Sequence, residues 1–163
     1  MLRFSHLAKQ EKALWLPRLF DLLYDNMHII APSGLSYEQQ KQDWLSQVSP
    51  ALDKAPRQIL SCFADDELAG YVQYYIRGDL LMVEELQLKR KFHSTLVFYR
   101  FCKYFLGLIP GEVVRVEAYA EKRNLRSQAL MEKLDMKPME EEGSPFIHFG
   151  GSWDALKKRF THR

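Results

Sequence analysis

Apolar positions recur at helical spacing from Leu16 onward, with Leu19, Phe20, Leu23, Met27 and Ile30 on one stripe and Arg18, Asp21 and Asp25 opposite. Pro17 suits a first helical turn, so the pattern predicts a helix whose regular part starts there. Ala31-Pro32-Ser33-Gly34 ends it. Ser36 stands three residues before Gln39, the spacing of a capping box. A second helix follows, with Tyr37, Trp44, Leu45 and Val48 on one face, and is expected to end before Pro50. Residues 1–7, ahead of both, suit a short first strand.

The period then changes. Residues 58–63, 68–76 and 80–88 are β-rich runs split by Asp65-Asp66 and Gly78-Asp79, which reads as an antiparallel meander. A polar loop, 89–95, leads into an apolar helix over 96–108 that stops at Pro110-Gly111. A strand over 113–120 precedes a helix over 125–134, for which Asn124 is the N-cap. Strands over 137–141 and 146–149 flank the turn Gly143-Ser144-Pro145, and Ser152 caps a short helix bearing Trp153, Leu156 and Phe160. The order is β-α-α-β-β-β-α-β-α-β-β in a single domain, 1–163. It implies a mixed α/β fold of the α+β type, with six or seven mostly antiparallel strands and helices on both faces. The helix between the fourth and fifth strands is a crossover, so those two strands are expected to be parallel, with a ligand crevice at their carboxyl ends.

Composition narrows the classes. In 163 residues, 23 Lys and Arg stand against 21 Asp and Glu, a net charge of +2 that gives no reason to expect a large basic face for duplex nucleic acid but leaves room for a local basic cluster. Cys62 and Cys102 lie in apolar stretches without CxxC spacing and read as buried free thiols in a reducing compartment. The first dozen residues lack an apolar signal region, and no apolar run approaches the ~20 residues that span a bilayer, so a cytoplasmic, membrane-free protein is expected. His6, His28, His93, His148 and His162 are scattered without metal-ligand spacing, and no GxGxxG or GxxxxGK[ST] occurs. The aromatic residues Phe98, Tyr99, Phe101, Tyr104 and Phe105 crowd one helix and read as core.

The element order, the fourth strand Val83-Glu84-Glu85-Leu86-Gln87-Leu88 and the segment from Asn124 to Met136 resemble the GNAT superfamily of acyl-CoA-dependent N-acyltransferases. Asn124, Ser127, Glu132, Lys133, Leu134 and Met136 carry the second match. Three departures are visible, one of them Asp135 in place of the family's usual glycine. The family's pyrophosphate loop, (Q/R)-x-x-G-x-(G/A), has no glycine here, whether its first position is Arg90 or His93. Met131 stands where the family often has a tyrosine that protonates the leaving thiolate, and a thioether donates no proton.

The resemblance implies acetyl-CoA as cosubstrate. It would be held by the main chain of Leu86, Gln87 and Leu88, by the loop residues Arg90, Lys91, His93, Ser94 and Thr95, and by Asn124 and Ser127. Ser94, Thr95 and Asn124 are equally ordinary helix caps. A carboxylate on the fourth strand, Glu84 or Glu85, would be the base. Strict alternation sets Glu84 beside Met82, Leu86 and Leu88, where an apolar setting would raise its pKa. Tyr119, on the opposite face of the fifth strand, would be the candidate substitute acid. Ala118 and Ala120 would leave room for the pantetheine arm between the fourth and fifth strands.

The implied activity is N-acetylation of a small-molecule or peptide amine by direct transfer. The alternatives are a GNAT fold that binds a ligand or partner without transfer, and an enzyme using a longer acyl-CoA. The acceptor site would draw on Asp21, Asp25, His28, Tyr37 and Glu140, Glu141 and Glu142, with a homodimer left open.

Overall fold

The computed structural model describes residues 1–54, 56–139 and 143–161. In chain order these form β1 (Leu2–His6), α1 (Lys12–Met27), α2 (Tyr37–Leu52), β2 (Gln58–Ala64), β3 (Glu67–Arg77), β4 (Leu80–Leu88), α3 (Leu96–Gly107), β5 (Arg115–Glu121), α4 (Leu125–Lys133), β6 (Lys137–Pro138), β7 (Phe146–Ser152) and α5 (Trp153–Thr161). The strands make one seven-stranded sheet in the order β1-β2-β3-β4-β5-β7-β6. Every neighbouring pair is antiparallel except β4 and β5, as the crossover through α3 requires. Among the described residues no helix is long and apolar enough to cross a membrane.

Several boundaries depart from the sequence expectation. Pro17 lies inside α1 and Pro50 inside α2. Each proline leaves a carbonyl four residues earlier without its amide, and those residues, Ala13 and Ser46, are exposed, where solvent can reach them. Ile30 is past the end of α1 and exposed; Leu22 joins the buried stripe in its place. The fifth strand starts two residues late because the amides of Val114 and Arg115 both donate to the Asp79 carbonyl, which leaves Val114 exposed and Val113 buried. The capping box is present, with Ser36 Oγ accepting from Gln39 N and Gln39 Oε1 from Ser36 N. Residues Glu140 and Glu141 of the expected strand, together with Glu142 and His162, lie outside the described residues.

Helices α3, α4 and α5 cover one face of the sheet around Phe101, Phe105, Met131, Trp153 and Leu156. Helices α1 and α2 cover the other around Leu16, Leu19, Val48, Leu52 and Tyr71. Gly70 on β3 sits so close to β4 that an added Cβ would lie 2.5 Å from the Gln87 carbonyl oxygen, so only glycine fits there. Cys62 and Cys102 are free thiols; burial pushes them up to about 11 and about 12, which keeps them protonated and unreactive at neutral pH.

Candidate active site

The site is built where β4 and β5 part. Their parallel ladder pairs only Leu80–Val83 with Arg115–Ala118, whereas β4 runs on to Leu88 and β5 to Glu121. Lys89 N donates to Ala69 O, and by strand alternation the main chain of Gln87 also faces β3. The main chain of Leu86 and Leu88 therefore turns toward β5, where no ladder meets it, and Gln87 is removed from that edge. Ala118 and Ala120 keep β5 thin at this point. Behind the opening an apolar cavity of about 60 Å³ is lined by Leu86, Ala118, Phe101, Leu130 and Met131.

A β-bulge in β4 decides which carboxylate faces what. Tyr74 pairs with Val83 and Gln73 with Glu85, so Glu84 is the extra residue. The expected alternation fails at that point. Leu86 and Leu88 share the α3 face with Leu81 and Val83, while Glu85 and Gln87 face α1. Glu84 does not sit among apolar neighbours: its Oε1 accepts from Arg57 Nε at 2.7 Å, and both side chains are partly exposed. The carboxyl lifted above its ordinary range is that of Glu85, chiefly through burial and further through the nearby Glu84 charge, against a hydrogen bond from Gln87 Nε2 at 2.7 Å that lowers it. Burial thus tunes the residue after the one that alternation singles out.

The loop after β4 keeps its basic residues occupied. Lys89 and Lys91 both grip Glu67, at 2.8 and 2.6 Å, and hold its carboxyl down at about 2. Arg90 Nη2 donates to the Asp25 carbonyl. His93 Nε2 donates to Leu88 O at 2.7 Å, its buried Nδ1 has no partner among the described residues, and burial lowers its pKa. Ser94 takes the left-handed conformation, φ 57°, that a glycine would take more cheaply, so the loop turns sharply without one. Thr95 caps α3, with Oγ1 accepting from Val97 N and donating to Phe92 O. Asn124 Oδ1 caps α4 through Ser127 N, and its Nδ2 reaches Met27 Sδ at 3.6 Å.

Tyr119 is 40% exposed on the α1 face of β5 and stacks on His148 at 4.5 Å, whose Nε2 lies 2.7 Å from Glu117 Oε1. Met131 is buried in the α3 face. Of the acidic residues expected to greet an amine, Asp21 is engaged elsewhere. Tyr37 donates to Asp21, with Lys41 Nζ 2.9 Å from the Tyr37 oxygen and 3.7 Å from Asp21. His28 stacks on Tyr24.

Two residues at the site are absent from the sequence expectation. Asn26 is buried on α1, where its Nδ2 donates to Gln87 Oε1 and to Leu88 O. A polar residue four after Leu22 and seven after Leu19, on an apolar stripe, is the signal that marks it. Arg126, in the first turn of α4, donates to Ser94 Oγ across the gap between the α3 and α4 N-termini. A cation there opposes the helix dipole, which is the signal for an anion nearby.

A mixed seven-stranded sheet parted between its two parallel strands is the fold this chain shares with solved acetyltransferases. The chain superposes on an acetyltransferase from Thermus thermophilus with a TM-score of 0.71 at 15% identity, covering 93% of this chain and 97% of that one. It superposes on the PaiA N-acetyltransferase of Thermoplasma acidophilum, solved with coenzyme A, at 0.68 and 15%, covering 93% and 99%. The Campylobacter jejuni N-acetyltransferase PseH, solved with acetyl coenzyme A, gives 0.56 and 14%, covering 93% and 99%. No protein-family model and no curated protein matches the sequence.

Proposed function

We propose that the protein is an N-acetyltransferase that moves an acetyl group from acetyl-CoA to a primary amine by direct transfer. The observation that carries this reading is the opening between β4 and β5, with unladdered main chain at Leu86 and Leu88 and a raised carboxyl at Glu85 beside it. Its fold is that of proteins solved with coenzyme A and acetyl coenzyme A.

In this reading the pantetheine arm lies along Leu86 and Leu88 over the alanines of β5. Its pyrophosphate meets the α3 N-terminus at Ser94 and Thr95, with Arg126 supplying positive charge in place of Lys89 and Lys91, which are held by Glu67. Asn124 and Ser127 line the α4 side. The amine gives a proton to Glu85, and its lone pair attacks the thioester carbonyl, polarised by a β4 amide. The C–S bond breaks, the acetamide leaves, and the thiolate takes a proton from Tyr119 or water. Glu84 is the lesser candidate for base because Arg57 holds it.

Buried Met131, and a Leu88 carbonyl already accepting from Asn26 and His93, favour a second reading in which the fold binds a ligand without transfer. Calorimetry with acetyl-CoA and with CoA, repeated on a Ser94→Glu, Thr95→Glu variant, separates the two. Micromolar binding lost in the variant, followed by acetylation in an amine panel, supports transfer. Binding without turnover supports the second reading, and no binding at millimolar ligand sinks the first and turns the second toward a partner other than CoA.

A further inference from the structure

We infer that Asn26 and Gln87 form a two-amide relay that positions the Glu85 carboxylate, so that helix α1 governs the residue read above as the base; the inference rests on that reading for its catalytic meaning only. Asn26 Nδ2 donates to the Leu88 carbonyl at 2.8 Å, and a carbonyl can only accept, so the orientation of that amide is fixed. The same Nδ2 donates to Gln87 Oε1 at 2.9 Å. Gln87 must therefore present its Nε2 on the other side, where it donates to Glu85 Oε1 at 2.7 Å.

Every step runs one way, from α1 through Gln87 to the carboxylate. Asn26 and Gln87 are 7% and 9% exposed, and burying two amides where apolar side chains would pack is costly unless both are satisfied in this manner. Without Asn26 the Gln87 amide is free to rotate and offer Glu85 its oxygen, which repels an ionised carboxylate. The charged groups that face Glu85 are few. Glu84, with its Arg57, adjoins it on β4, and Tyr71 approaches from β3 with a buried hydroxyl that has no partner among the described residues. None of these donates to Glu85, which leaves Gln87 as its fixed donor.

The test is a carboxyl-carbon NMR titration of Glu85 in the full chain, its signal assigned with Glu85→Gln. Gln87→Leu should move the midpoint up by about one pH unit, the scale of one hydrogen bond to a charged group. Gln87→Met, closer in shape, serves if the leucine variant does not fold. Asn26→Ala should move it in the same direction by less, and should add nothing in a Gln87→Leu background. A midpoint that ignores Gln87→Leu, or an Asn26→Ala shift that is the same with and without Gln87, overturns the relay. The pH profile of kcat/KM should follow the titration across the variants. A titration that moves while the rate profile stays still would keep the relay and remove Glu85 as the base.

Discussion

The two faces of this sheet are packed by the same chain under different rules. Under α3, α4 and α5 the buried side chains are apolar almost throughout, from Leu60 and Val72 to Phe149 and Trp153. Under α1 and α2, and along the adjoining strands, Asn26, Ser61, Gln73, Gln87 and Glu117 are buried too, and Tyr71 keeps its hydroxyl among leucines. An apolar face needs only volume and shape, whereas a polar one must satisfy each group or lose stability through it. A face that carries such groups next to the parted strands is where chemistry is expected. The first face holds the fold, and on the function proposed above the second gives up some stability to serve it.

The sharpest way to break that division is Glu85→Gln. If the polar face is catalytic, turnover of acetyl-CoA with an accepted amine should fall by about 10²–10⁴-fold, while Glu84→Gln costs less than about tenfold. Equal losses would mean that the bulge does not separate the two carboxylates. Next in size, Phe101→Ala on the apolar face should destabilise the protein by about 3–5 kcal/mol in denaturant titration. Tyr71→Phe on the other face, although its ring is as deeply buried, should leave stability unchanged or raise it by up to about 1 kcal/mol, because it removes a hydroxyl with no partner among the described residues. A large loss in Tyr71→Phe would show a partner for that hydroxyl.

Linkage offers a subtler contrast. The Glu85 carboxyl is raised on folding, so its contribution is fully present below the ordinary carboxylate range and is lost as pH rises through the folded value. Glu67 is held down at about 2, so its contribution is present above the ordinary range and is lost as pH falls toward 2. Unfolding free energies measured across pH should therefore fall less on the alkaline side in Glu85→Gln than in the unaltered chain. Thr95→Ala should cost about 1 kcal/mol from the lost α3 cap, read in the same denaturant titration.

Much of the architecture was legible because it is written in local terms. Turn residues mark the meander, Ser36 and Asn124 mark helix starts, and a crossover long enough for a helix forces the parallel pair. What alternation misread was the bulge at Glu84, since one inserted residue exchanges the faces of all that follow and leaves no mark in the hydrophobic pattern. The fates of Lys89, Lys91 and Asp21 were equally hidden. Their partners Glu67 and Lys41 lie roughly 20 residues away, and side-chain pairing over such distances has no period to read.

The short contact between β4 and β5 has a consequence for how the native state opens. Strands β1 to β4 are joined by long antiparallel ladders, as are β5 and β7, yet among the described residues the ladder between the two groups has four residue pairs. Amide protons in the two blocks should exchange with solvent as separate cooperative units, the seam opening before either block melts. A ligand lying in the seam would slow both units at once, making the cleft the place where two half-independent foldons become one.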